Sequence, residues 1–242
     1  MWLRQLIKYF RSKPRIIGSL GQPVLFLVSF GFGFGSIYQK AGNGNYIQFL
    51  APGIILMSVL FTAIFSGIEL IWDRQFGFLK ETLVAPVPRL NIVLGRILGG
   101  ATVAGIQGII VFILTLILGF RPPNMMMIPM AFILMFIVAI LFTSLGTVIA
   151  SSMEDMQGFQ LIMNFLVMPI FFLSGALFPL EGLPTVLKVL THINPLTYGV
   201  DAVRWAMIGQ ATFPVGLDIL IISAVAASLV GIGSYMFSKI QA

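Results

Sequence analysis

Cysteine is absent from the 242 residues, which removes disulfides, thiolate metal sites and a cysteine nucleophile. Histidine occurs once. Charged residues make up 9% of the chain, against about a quarter in a soluble domain, too few to cover a water-facing surface. A soluble globular protein is therefore excluded, and a hydrophobic content of 58% excludes disorder. No Gly-Lys pair occurs, so the phosphate-cradling loop GxxxxGK[ST] cannot form. Ionisable groups are also missing from the middle of the apolar runs. Arg96 is near the start of its run and placed to snorkel to the interface, and Asp218 is at the edge of the last. That disfavours a carrier driven by protons or sodium, and the same scarcity leaves no nucleophile–base pair or metal set for an intramembrane enzyme.

What is present is apolar length. Uncharged stretches run over 16–39, 41–68, 97–120, 122–153, 156–180 and 219–238. A membrane helix needs about 20 residues. These runs predict an all-α membrane protein, a single unit over 1–242, with six spans near 16–36, 48–70, 91–119, 126–150, 157–177 and 216–238. Ten Lys and Arg fall on one side of this topology: Arg4, Lys8, Arg11, Lys13, Arg15, Arg74, Lys80, Arg89, Arg96 and Lys239. Four fall on the other: Lys40, Arg121, Lys188 and Arg204. Lys and Arg concentrate in cytoplasmic loops, so both termini are expected in the cytoplasm. The net charge of +6 is thereby a topology signal, and nucleic acid is not expected as a partner. The uncharged run after Arg15 is too long for a signal-peptide core and lacks a small-residue cleavage site, so it is expected in the mature protein.

Two segments are expected on the basic surface. Residues 2–13 form an amphipathic interface helix, with Trp2, Leu3, Leu6, Ile7, Tyr9 and Phe10 on one arc and Arg4, Gln5, Lys8 and Arg11 opposite. Pro14 is expected to break it. Two roles fit this helix: an anchor, or a lever moved by a partner. The second segment, 69–89, combines Glu69, Asp73, Arg74, Lys80, Glu81 and Arg89 with Trp72, Phe76 and Phe78. A helix over 72–85 places Trp72, Phe76, Leu79 and Leu83 on one stripe facing headgroups or the bundle, with Arg74, Phe78 and Glu81 on the far side. An exposed Phe among charges on a short helix suits docking to another protein, against a plain solvated loop.

On the other side, prolines at 179, 184, 195 and 214 delimit two short helices near 182–192 and 195–208, re-entrant or interfacial. Asp201 and Arg204 are placed to form an outer ion pair at i,i+3. His192 reads as structural. Within the spans, Ser58, Thr62, Asn164 and Phe172 are candidates for a pathway or a seam between chains. Small residues recur at i,i+4 in span three (Gly95/Gly99, Ala101/Gly105, Ala104/Gly108), and span one ends in Gly31, Gly33 and Gly35. They serve close packing within the chain or a dimer face.

Three segments together carry a resemblance. DRQFGFLKETLVAPVPR with the following NIVLGRIL, then FFLSGALFPLEGLP at 171–184, then NPLTYGVDAVRWAMIG at 194–209, occur in the order seen in permeases of ABC type-2 exporters. Within them, the chain resembles the daunorubicin-resistance and nodulation-factor exporter permeases. The family pattern of an acidic-Arg start, Gly, Leu-x-Glu, Pro and Arg matches Asp73, Arg74, Gly77, Leu79, Glu81, Pro86 and Arg89. Phe78 departs from it, standing where many members have Thr.

The resemblance implies the membrane half of an exporter in the cell (inner) membrane. The chain would have no catalytic residues and bind no cofactor or metal. ATP and Mg would be held by a separate P-loop ATPase subunit. A second permease chain, identical or closely related, would complete the path. Asp73, Arg74, Gly77, Phe78, Lys80 and Glu81 would contact the ATPase through a coupling helix. The substrate would be hydrophobic or amphipathic: a drug, a lipid or a lipid-linked glycan. The rival readings are an ion-coupled carrier or passive channel, and a non-transporting scaffold; a neighbouring gene for a soluble P-loop ATPase distinguishes them from the first.

Overall fold

The computed structural model describes residues 1–40, 45–84, 86–180 and 182–239; the side chains of Arg15, Ser36, Lys80 and Leu83 lie outside that description. The described residues form an all-α structure: α1 (Trp2–Arg11), α2 (Lys13–Gly33), α3 (Gly35–Lys40), α4 (Tyr46–Phe65), α5 (Ile68–Gln75), α6 (Phe78–Val84), α7 (Arg89–Ile117), α8 (Ile128–Ser151), α9 (Met156–Phe172), α10 (Thr185–Ile193), α11 (Pro195–Ile208) and α12 (Val215–Ser238).

Among the described residues, five helical segments are long and apolar enough to cross a membrane: Ile16–Gly33, Tyr46–Gln75, Arg89–Ile117, Met125–Ser151 and Val215–Ser238. The chain is a multi-pass membrane protein. The sixth expected span, 157–177, is corrected to the shorter α9 of 17 residues. At 1.5 Å per residue it is about 26 Å long, just under the roughly 30 Å hydrocarbon core. It stops at Phe172 because Leu173 leaves the helical basin and Gly175 adopts φ +72°. Another expectation is also corrected. Pro14 does not break a helix; it occupies the first turn of α2, where a missing N–H costs nothing, and the break falls at Ser12.

The core sits around α4. Fourteen of its residues are buried, Ile54, Ile55, Leu56 and Leu60 completely, because it is apolar on every side. It packs on α2, α7, α8, α9 and α11, and α12 closes the far side of α8. Small residues let the backbones approach. A Cβ on Gly146 of α8 would strike the Ile64 carbonyl of α4, and one on Gly67 would strike the Gly146 carbonyl. In α7, Gly99 is covered by Gln5, Gly100 by Ser66 and Thr143, and Gly108 by Met135 and Val59. The small-residue pattern of span three thus serves packing within the chain. A Cβ on Gly33 or Gly35 would meet nothing within 4 Å.

The start of α1 and the end of α12 lie at one end of the bundle. Arg89, at the start of α7, donates to the Ser238 carbonyl at the end of α12, and α1 packs along α7. This basic end carries α1, α5 and α6; the opposite end carries α3, α10 and α11.

Candidate functional site

At the basic end, α4 continues into α5 through Ser66 and Gly67, both with helical dihedrals and i→i+3 bonds that tighten the turn. This delivers Asp73 into a buried position, where it accepts from Arg4 Nη2 of α1 at 2.6 Å and from Arg96 Nη2 of α7. Arg96 is 3% exposed, so its expected snorkelling is corrected: a carboxylate within hydrogen-bond reach replaces the water it would have sought. One buried carboxylate therefore ties three elements together. The paired charges sit at neighbouring span ends, Asp73 after span two and Arg96 early in span three. That juxtaposition was the available sequence signal.

The next residue works differently. Arg74 donates to the carbonyls of Met153 (2.9 Å) and Ser151 (3.3 Å), and Gln75 to that of Glu154 (2.9 Å). The Ser151 carbonyl is at the end of α8, where a cation is favoured by about 0.3–1 kcal/mol, and those of Met153 and Glu154 lie in the linker to α9. Asp155 then caps α9 through the Gly158 and Gln157 N–H groups, so α5 is clamped to the α8–α9 junction. Asp73 and Arg74, expected to contact a partner, are engaged inside the chain.

The single helix expected over 72–85 is corrected to two, α5 and α6, with the break at Phe76–Gly77. Gly77 adopts φ +79°, a basin open to glycine. A left-handed residue re-aims the chain, so one helical wheel cannot run through it. Leu79 remains buried at 2%, but Phe76, expected on the same stripe, is 71% exposed, and Trp72 is exposed. Phe78 is half exposed and lies under the Arg4 guanidinium, 5.3 Å from its ring centroid. Glu81 is exposed. The expectation for Lys80, and for Leu83 on the stripe, lies outside the described residues. Trp72, Phe76, Phe78, Val84 and Val87 leave large apolar surface open at this end.

The interface helix is seated rather than floating. Tyr9 Oη donates to Gln107 Oε1 (2.6 Å) and Trp2 Nε1 to Thr102 Oγ1 (3.1 Å), while Leu3, Ile7 and Phe10 stay exposed. Tyr9 also lines a cavity of about 230 Å³ with Ser19, Gln22, Ser58 and Thr62, between α1, α2 and α4. The four pathway or seam candidates do not meet. Ser58 and Thr62 share this cavity; Asn164 faces outward on α9 beside Phe165; Phe172 lines an apolar groove near the opposite end.

At the opposite end the two short helices form, α10 beginning only after Pro184. The Asp201–Arg204 ion pair is corrected. Asp201 accepts from the backbone N–H groups of Thr212 (2.8 Å) and Phe213 (2.8 Å), and Arg204 Nη2 donates to the Gly175 carbonyl (2.8 Å) and stacks over Phe49 (4.1 Å). In a buried helix, loop amides and carbonyls would otherwise go unsatisfied, and they recruit both side chains. Burial lowers the Arg204 guanidinium to about 10, against the opposing influence of Asp201 and Tyr38. It remains a cation at neutral pH. Asp218 is completely buried beside Asp201. His192 has a structural setting, its Nδ1 2.6 Å from the Lys188 carbonyl and its ring against Phe213.

Comparison with known sequences gives the geometry its context. The profile of the family described as "ABC-2 type transporter" matches residues 1–208. Nodulation protein J of Rhizobium leguminosarum bv. viciae is 28% identical over 222 residues, covering 90% of this chain and 85% of that protein. Nodulation protein J of Sinorhizobium fredii is 27% identical over 224 residues, covering 90% and 84%. That of Neorhizobium galegae is 26% identical over 213 residues, covering 87% and 80%.

Proposed function

Because this chain belongs to the ABC-2 type transporter family, as a non-catalytic membrane permease subunit, we propose that it moves a hydrophobic or amphipathic substrate out of the cytoplasm or inner leaflet under the power of a separate ATPase. The basic end faces the cytoplasm, in keeping with its ten Lys and Arg. Two such chains, with two ATPase subunits holding ATP and Mg, make the working complex. The substrate is a drug, a lipid or a lipid-linked glycan. A scarcity of charge in the spans fits all three.

The observation that carries this reading is the construction of α5 and α6. Phe78 and Glu81 are presented on a seven-residue helix, while α5 beside it is fixed to α1, α7 and the α8–α9 junction. An ATPase gripping α6 would hold a handle attached to three parts of the bundle. Gly77 joins handle to mount. The cavity holding Ser58 and Thr62 is the candidate start of the path. The outward face of α9, with Asn164 among Leu161 and Phe165, is the candidate seam, since an amide gains little from lipid.

The test is reconstitution with the partner ATPase in proteoliposomes. Export should require ATP on the side of the basic end and continue when proton uncouplers are added. Uphill movement by the permease alone, driven by a proton or sodium gradient, would favour the ion-coupled carrier and overturn the proposal.

A further inference from the structure

Two cavities at the opposite end share a wall. The first, about 450 Å³, is lined by Phe49, Arg204, Gln210 and Thr212 together with Tyr38 and Pro179. The second, about 390 Å³, is an apolar groove lined by Phe30, Phe34, Phe172 and Leu177 with the same Tyr38 and Pro179. A polar cleft and an aromatic groove therefore lie side by side, on either side of Tyr38 and Pro179.

Arg204 is the one charged side chain lining that cleft among the described residues. It is 6% exposed, and its Nε has no hydrogen-bond partner. Asp201 does not fill that vacancy: its oxygens are directed to the Thr212 and Phe213 amides, and no hydrogen bond joins them to Arg204. A buried guanidinium with an open donor is costly unless an acceptor reaches it, and its planar fork suits phosphate oxygens. The groove supplies the other half of the chemistry. Phe34, between α2 and α3, and Ile37 of α3 are exposed at its edge, so it opens sideways toward lipid rather than into the cavity of Ser58 and Thr62.

We propose that this pair of cavities holds a resident phospholipid with an anionic head from the adjacent leaflet, its phosphate beside Arg204 and one acyl chain in the aromatic groove. A soluble phosphate would have no use for the groove, and a neutral apolar molecule none for the guanidinium. The occupant is a bilayer component, bound whether or not transport runs. The inference does not depend on the transport reading and leaves it untouched if it fails.

The experiment is native mass spectrometry of the full-length permease released from nanodiscs of equimolar phosphatidylglycerol and phosphatidylcholine. Both lipids present a phosphate, but the choline cation of phosphatidylcholine would stand near Arg204 in a cleft whose described lining offers no acid to pair with it, so wild type should retain phosphatidylglycerol over phosphatidylcholine by about tenfold. Arg204→Gln should reduce that to within about twofold, and Arg204→Lys should keep part of it. Since Arg204 also holds the Gly175 carbonyl, Phe34→Gln provides a variant that disturbs only the exposed groove; it should lower total retained lipid about threefold with head-group selectivity unchanged. Equal retention of the two lipids by wild type, or selectivity surviving Arg204→Gln, overturns the proposal. Retention seen only with the ATPase and ATP also overturns it, because the site would then hold cargo.

Discussion

Asp73 offers the sharpest test of how the basic end is built. Its carboxylate is shared by Arg96, whose side chain is 4% exposed, and Arg4, whose side chain is 33% exposed. The two pairs should differ in energy. Arg4→Ala removes a partner that water can largely replace and should cost about 1 kcal/mol or less. Asp73→Ala leaves Arg96 buried with no counter-charge and should cost about 3–5 kcal/mol. Replacing both members with apolar residues of similar size, Asp73→Leu with Arg96→Met, removes the stranded charge and should recover most of that loss. The assay is reversible unfolding in mixed micelles, titrated with SDS and followed by tryptophan fluorescence, with the four proteins compared at one lipid-to-detergent ratio. If Arg4→Ala costs as much as Asp73→Ala, or the double variant is no more stable than Asp73→Ala, the asymmetry read from burial is wrong.

The remaining predictions concern packing, docking and topology. Gly146→Val should be among the most damaging single changes, costing more than about 3 kcal/mol because its side chain meets the Ile64 backbone, whereas Gly33→Ala, in open space, should be within about 0.5 kcal/mol of neutral; thermal denaturation in detergent compares them. Phe78→Ala and Glu81→Arg should leave insertion and thermal stability intact while lowering co-purification of the ATPase; undiminished capture by both would remove α6 from the interface. Single cysteines at Gln39 and Asn124 should label from outside intact cells and those at Ser12 and Gln157 should not; outside labelling of Gln157 would invert the topology.

Much of the architecture was legible because it rests on hydropathy. Residues that are apolar on every side, as in 46–65, have few places to go except the middle of a bundle. The places where the reading slipped are those where tertiary partners outvote local pattern. Gly77 ends a helix whose wheel looked continuous, since one left-handed residue changes direction without changing composition. Asp201 and Arg204 stand at ion-pair spacing, yet the loop at Thr212 and the carbonyl of Gly175 make stronger claims on them, and neither is near in sequence. Arg96, placed by sequence alone to escape to water, is instead held by Asp73. The glycines of span three were legible as packing residues, but their partners, Gln5 and Met135 among them, were not.

The seat of the first helix also constrains how the protein is made. Tyr9 and Gln107 are 98 residues apart in the chain, and Trp2 and Thr102 are 100 apart. At about 5–20 residues per second, α1 leaves the ribosome some 5–20 s before the helix that receives it exists. During that wait, Leu3, Ile7 and Phe10, exposed in the finished protein, are an apolar face suited to rest on the bilayer surface. The helix is thus expected to rest on lipid first and latch later. A nascent chain stalled before residue 102 should therefore leave α1 open to protease along its polar side, and the protection should appear only as span three enters the membrane.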